Sequence, residues 1–208
     1  THVIRGDDHL NNAFRQINLF KSLDWKIPNY AHIPLIHNSD GKKLSKRLNS
    51  VGIEEYKEMG ILSEAMKNYF LHLGLSYGDE EIISENNAIK LFSINKIRKS
   101  PSRFDIKKLK NINSFYIKNL SQNEIINKVK NLYYKNFHKD VVDNNLKKLN
   151  PLFDDLISRS STLNEIYFDS KFLFIKNIDP SDEAQKIINN SDKLIFKKLV
   201  LELDKLEL

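Results

Sequence analysis

The sequence predicts a mostly helical protein that opens on a short α/β segment, and three observations carry that prediction. Near the N-terminus, apolar residues switch from strand-like to helix-like spacing and back. A turn, Asn38-Ser39-Asp40-Gly41, then leads into the basic run Lys42-Lys43-Leu44-Ser45-Lys46-Arg47. Beyond that run, helix-capping signals recur almost to the C-terminus.

Val3-Ile4 reads as the end of a short buried strand running into Arg5-Gly6-Asp7-Asp8-His9. The two aspartates stand where a helix begins, so one of them can cap it and complement its dipole. Leu10, Phe14 and Ile17 have the i, i+4, i+7 spacing of an apolar helical stripe reaching about Leu23. Pro28 and the run Ala31-His32-Ile33-Pro34-Leu35-Ile36 return the chain to extended geometry. Asp40-Gly41 signals a tight turn, because glycine accepts the positive φ that such turns require. Strand, helix, strand and basic loop resemble the last unit of an α/β nucleotide-binding domain.

Everything after Arg47 reads as helices and their connections. Ile53 to Met59 is a short helix stopped by Gly60. Ser63 is placed to cap the next, with Leu62, Met66, Phe70 and Leu73 on one face and Gly74 as C-cap. Gly78 to Glu81 is a loop, and Ser84 or Glu85 opens a helix through Phe92. Ser100-Pro101-Ser102-Arg103-Phe104-Asp105 reads as a compact turn, since Pro101 forbids a continuous helix. Ser121…Glu124 and Thr162…Glu165 both have capping-box spacing, and the first turns Ile125, Val129, Leu132 and Tyr133 inward. Asn150-Pro151 starts a helix carrying Phe153, Leu156 and Ile157; Ser181 to Asn189 and Asp192 onward read as two more. Tyr69, Phe70, Phe115 and Tyr116 sit at core spacing and read as packing rather than base-stacking platforms.

Composition bounds the function. A chain of 208 residues with 40% hydrophobic content can bury a core and fill one or two domains. Its net charge of +6 favours a polyanionic partner. The absence of cysteine excludes disulfides and thiolate metal sites and fits a reducing cytoplasm. No apolar run approaches the roughly 20 residues that span a bilayer, so no membrane role is expected. Thr1-His2-Val3-Ile4 has no initiator Met and no signal-peptide layout, and the chain is expected to be a fragment.

The basic run can clamp phosphates with ammonium groups on flexible stems, although runs of this kind are also ordinary solvated faces. Lys96 to Lys99, Lys107-Lys108 and Lys147-Lys148 carry the same two readings: RNA phosphate contact or solvated helix face. Asp7-Asp8-His9 fails as a metal site, because adjacent residues point apart and no second His or Cys cluster stands at ligand spacing. His32 and His37 would face opposite sides of an extended segment. No zinc or other resident metal is expected.

Lys43-Leu44-Ser45-Lys46-Arg47 resembles the KMSKS loop of class I aminoacyl-tRNA synthetases, with Leu in the second place and Arg in the last. Thr1 to Leu10 resembles the "HVIRGEDH" segment of bacterial glutamyl-tRNA synthetases. Leu23-Asp24-Trp25 is similar to the Gly-Trp that ends that family's next helix, and Tyr30 to Ile36 to its "AHLPLI" strand. Ile53 to Tyr56, Ser63 to Phe70, Lys99 to Asp105, Asn113 to Ile117 and Ser161 to Glu165 continue the resemblance in order. It is dense to about Leu120 and thinner afterwards. The family's N-terminal half with its "HIGH" motif has no counterpart, its anticodon-binding region is incomplete, and Leu48-Asn49-Ser50 replaces the usual His-Gly-Ala.

The resemblance implies a C-terminal remnant of a Rossmann-like catalytic domain over residues 1–48. A helical stem-contact domain over 49–120 and the N-terminal part of a helical anticodon-binding domain over 121–208 would follow. It implies a cytoplasmic ATP-dependent glutamate–tRNA ligase, here an inactive fragment, working through glutamyl-adenylate. Mg²⁺ would arrive with ATP. The partners would be glutamate and tRNA-Glu, with tRNA-Gln left open, and the enzyme a monomer. Lys46, supported by Lys43, would stabilise the phosphates, while Leu44 and Ser45 complete the ATP contact. Arg5 would bind the glutamate carboxylate, with Asp8 and His9 lining the same pocket. On the residues alone, Arg5 can instead pair with Asp7 or Asp8, and Asp8 can simply cap the helix. A non-catalytic RNA- or protein-binding module and an enzyme that glutamylates a modified tRNA base are the alternatives.

Overall fold

Residues 1–44, 52–75, 78, 80–175, 180–203 and 205 are described by the computed structural model. Strands β1 (His2–Gly6) and β2 (Asn29–Ile33) pair in parallel, with Arg5 opposite His32. Parallel neighbours need a crossover, supplied here by a 3-10 turn (Asp7–His9) and helix α1 (Leu10–Ser22). The end of α1 is a Schellman arrangement. The Trp25 N–H donates to the Phe20 carbonyl at 2.9 Å and the Asp24 N–H to Lys21 at 3.2 Å. Asp24 takes a φ of 53°, the left-handed conformation this motif needs, and Trp25 packs edge-on against Phe20 at 6.0 Å. The stripe expected to bury α1 does not: Ala13 is its buried residue, and Phe14 is 62% exposed. Spacing makes the helix, but burial needs a partner that spacing cannot supply.

Pro34, which has no N–H to give a ladder, separates β2 from the two-residue β3 (Ile36–His37). β3 pairs in parallel with β4 (Ser102–Arg103), Ile36 opposite Ser102 and His37 opposite Arg103. The segment read as a compact turn therefore holds a strand. Pro101 does end helical structure, but a two-residue strand is too short to show alternation. β4 is pinned from the helical side. The Ser102 hydroxyl donates to the Leu73 carbonyl, and the Asp105 N–H donates to the Tyr69 hydroxyl at 2.6 Å. The Phe104 ring meets Tyr69 at 5.1 Å and Tyr56 at 5.4 Å.

Helices α2 (Ile53–Glu58), α3 (Ser63–Gly74), α4 (Glu85–Leu91), α5 (Ile106–Lys118) and α6 (Gln122–Asn136) follow, then α7 (Lys139–Asn145), α8 (Phe153–Arg159) and α9 (Leu163–Ser170). The protein is mostly helical, as expected. Side-chain caps operate at Ser84, Asp105, Ser121 and Thr162, and the Ser121–Glu124 box is closed in both directions. Three expectations need correction. Leu62, not Ser63, is the α3 N-cap, and the Ser63 hydroxyl donates to Glu64 instead. Gly74 ends α3 rather than following it. Pro151 lies inside a 3-10 stretch (Leu146–Leu152), so α8 begins at Phe153. Tyr69 is buried, whereas Phe70 and Phe115 are exposed, because their positions look away from the α3–α5 contact.

Asn113, fully buried on α5, joins three segments. Its carbonyl accepts the Leu62 N–H at 2.8 Å, and its amide donates to Gly60 at 3.2 Å and to Ser161 at 2.7 Å. Gly60 has a φ of 82°, and a Cβ there would lie 2.7 Å from the Asn164 nitrogen.

The chain divides into two units, Thr1–Lys171 and Phe172–Leu208. The second contains α10 (Asp182–Asn190), capped by Ser181, and α11 (Lys193–Leu203). Among the described residues, no helix is long and apolar enough to cross a membrane.

Candidate functional site

The C-terminal end of β1 and the turn after β3 bring together most of the described residues singled out from sequence. Parallel pairing of β1 with β2 sets Arg5 beside His32, and the Arg5 Nε–H donates to His32 Nε2 at 3.4 Å. The guanidinium carbon lies 5.2 Å from the centre of the Tyr30 ring. Nη2 of Arg5 is buried without a hydrogen-bond partner. Among the described residues no carboxylate lies within ion-pair distance of Arg5, so the expected alternative of a salt bridge to Asp7 or Asp8 is not formed. Asp8 already has another partner.

That partner is Lys43, whose ammonium donates to Asp8 Oδ2 at 2.6 Å. Its hydrogen bond and charge hold the Asp8 carboxyl below the ordinary carboxylate value. Asp8 caps nothing: neither the 3-10 turn nor α1 has a side-chain cap. Gly6 makes room for this geometry, since a Cβ there would lie 2.6 Å from Asp8 Oδ1. His9 stands close by, its Nε2 3.9 Å from Asp8 Oδ1 and its Nδ1 3.2 Å from the Asn12 amide nitrogen.

The turn that delivers Lys43 forms as expected. Gly41 has a φ of 78°, and its N–H donates to the Asn38 carbonyl at 3.0 Å. The Asn38 side chain accepts the Lys42 N–H at 2.8 Å, and the Leu44 N–H donates to Ile36 at 2.9 Å. Lys43 thus continues from β3 as an antiparallel bridge to His37. Ser45 and Lys46 lie outside the described residues.

The site therefore offers a guanidinium with an unused donor, and an ammonium already matched to a carboxylate. Such a pair of cations suits anionic ligands. Among the described residues, no group of three or more His, Cys, Asp or Glu is placed to hold a metal ion. Sequence reasoning missed Tyr30 and His32 as neighbours of Arg5. Their i, i+2 spacing on an extended segment was a signal, but only the β1–β2 register reveals what that face meets.

Residues 1–111 match the family described as tRNA synthetases class I (E and Q), catalytic domain. The chain belongs to this family. Its relatives within the synthetases include Glutamate–tRNA ligase 2 of Rickettsia prowazekii, 41% identical over 211 residues that cover 100% of this chain and 44% of the relative. Glutamate–tRNA ligase 2 of Zymomonas mobilis is 43% identical over 197 residues, covering 93% of this chain and 41% of its own. The crystal structure of a glutamate tRNA ligase from Elizabethkingia meningosepticum in complex with its amino acid superposes with a TM-score of 0.69 at 29% identity. The match covers all of this chain and 44% of that one. The chain thus spans less than half the length of the synthetases it matches.

Proposed function

We propose that this chain is part of an enzyme for the ATP-dependent ligation of glutamate to tRNA and is inactive by itself. The α-carboxylate oxygen of glutamate attacks the α-phosphorus of ATP, the bond to pyrophosphate breaks, and glutamyl-adenylate forms. A tRNA 3′ ribose hydroxyl then takes the acyl group and AMP leaves. Catalysis of the first step is alignment plus stabilisation of charge on the phosphates. Lys46, with Lys43, carries that stabilisation; Leu44 and Ser45 complete the contact with ATP, and Mg²⁺ comes with the nucleotide. Arg5 binds the side-chain carboxylate of glutamate, with Asp8 and His9 beside it. The assignment of residues 1–48 to the catalytic domain, 49–120 to a stem-contact domain and 121–208 to the anticodon-binding domain belongs to the same reading. So do tRNA-Glu as the RNA partner, a monomeric state and a cytoplasmic location.

The buried, unpartnered Nη2 of Arg5 is the observation that carries this reading. A buried donor without a partner costs on the order of 1–3 kcal/mol, and a carboxylate would relieve that cost. A neutral glutamine amide would not supply the matching charge. The test is glutamate-dependent ATP–pyrophosphate exchange, with tRNA present, by the product of the complete reading frame that holds this chain. Lys46→Ala should slow it about a hundredfold, the loss expected for one contact to transition-state charge. Arg5→Met should raise the KM for glutamate. Exchange that is unaffected by both substitutions would defeat the proposal.

A further inference from the structure

We propose that Tyr30 and His32 are positioning residues that aim the Arg5 guanidinium at the carboxylate of the amino acid. This inference rests on the reading that Arg5 binds that carboxylate. Tyr30 and His32 occupy i and i+2 of β2 and so share one face of the strand. Their rings lie nearly parallel, 8° apart, with centres 6.4 Å from one another. Arg5 stands opposite His32 in the parallel register. The guanidinium carbon sits over the Tyr30 ring at 5.2 Å, while Nε–H points at His32 Nε2 at 3.4 Å. One contact restrains the cation at its face and the other at its inner edge. The buried nitrogen Nη2 keeps its donors unused.

The chemistry of the platform matters as much as its position. Arginine is usually fixed by a carboxylate, which would also cancel its charge. Here the edge partner is an imidazole nitrogen acting as acceptor, which requires neutral His32 with its proton on Nδ1. The face partner is an aromatic ring, which attracts a cation without neutralising it. Both orient the guanidinium and leave its full charge for a ligand. Asp8, an acidic group of the same site, is held by Lys43 rather than by Arg5. Fixing the arginine strengthens binding, because less of its side-chain freedom is lost. It also sharpens discrimination, because a held cation cannot swing away when a neutral amide leaves its charge unpaired.

The experiment is steady-state aminoacylation by the product of the complete reading frame, comparing His32→Leu, His32→Gln, Tyr30→Leu, Tyr30→Phe and Arg5→Met. His32→Leu removes the acceptor and should raise the KM for glutamate about tenfold, the scale of one hydrogen bond to a charged group, with little change in the KM for ATP. His32→Gln supplies an amide oxygen to accept the Nε–H and should recover most of that loss. Tyr30→Leu should raise the same KM several-fold, and Tyr30→Phe, which keeps the ring face, should lie closer to wild type. The ratio of kcat/KM for glutamate over glutamine should fall in His32→Leu and Tyr30→Leu. If Arg5→Met raises the KM for glutamate while His32→Leu and Tyr30→Leu leave it at the wild-type value, the positioning role is refuted and the role of Arg5 stands. If Arg5→Met itself changes nothing, both fall. Should a leucine variant fail to fold, hydrogen exchange at Arg5 Nε–H measured by NMR in wild type and in His32→Gln decides. Exchange as fast as at an exposed arginine in the wild type overturns the proposal.

Discussion

Lys43 Nζ and Asp8 Oδ2 lie 2.6 Å apart, joining the turn after β3 to the turn after β1. The pair depresses the Asp8 pKa, so its contribution to stability is present above the ordinary carboxylate value. It is lost as pH falls through the lowered one. NMR titration should show the Asp8 carboxyl titrating below its ordinary range in the wild type and rising back to it in Lys43→Met. Because both groups reach solvent, added salt should shrink the difference. A wild-type Asp8 that titrates in the ordinary range would refute the ion pair.

Gly6→Ala tests the same pair from its other side. A methyl at this position would lie 2.6 Å from Asp8 Oδ1, the tip of a movable side chain, and 3.1 Å from Leu35 Cδ2. The fold should survive with a loss of about 1 kcal/mol, the scale of mild overpacking. The Asp8 titration should move up toward that of Lys43→Met. An unchanged Asp8 titration in a folded Gly6→Ala protein would show that the glycine is not what lets the carboxylate approach.

Asn113→Ala should be among the most damaging single changes in the helical part. It strands the buried Leu62 N–H and Gly60 carbonyl and the half-buried Ser161 carbonyl. The expected loss is about 3 kcal/mol, or a fall in Tm of roughly 6–12 °C for a protein of this size. Thermal unfolding followed by circular dichroism measures it. Asn113→Asp should also destabilise, since it keeps the acceptor and loses the donor.

Gly60→Ala attacks the same junction through the backbone. A φ of 82° disfavours any Cβ, and the added atom would meet the Asn164 and Leu163 nitrogens at 2.7 and 2.8 Å. Urea denaturation should show a loss of about 2 kcal/mol or more.

At Asp24 the prediction is an order of stabilities. Its φ of 53° costs least for glycine, little for Asp or Asn, and most for a β-branched side chain. Asp24→Asn should be nearly neutral, and Asp24→Val should lose about 1–2 kcal/mol. Trp25→Ala should lose the edge-on contact with Phe20 that accompanies this helix end.

Local chemistry was legible in the chain, and long-range pairing was not. Gly41, Gly60, Ser84 and Ser121 each act within a few residues of themselves and do what their type and spacing imply. Thr162 caps its helix, but Glu165 accepts the Ser161 N–H rather than that of Thr162, so the expected box is only half made. The Asp24-Trp25 helix end is equally local, but the family resemblance marked it, and neither residue type nor spacing signalled the left-handed Asp24. By contrast, Asp8 meets Lys43, Arg5 meets His32, and Asn113 meets Gly60 and Ser161 only after the chain has folded back. No spacing rule links those positions. The α1 stripe marks the complementary limit: periodicity states which residues share a face, not whether anything lies against it.

The pairing of Ile36 with Ser102 has a kinetic consequence. Two residues of ladder return little energy for closing so long a stretch of chain, so this contact cannot nucleate folding. Helix α3, which pins both Ser102 and Asp105, must organise first. Amides at this junction should therefore be the first to open in the intact protein, well before the α3–α5 core gives way.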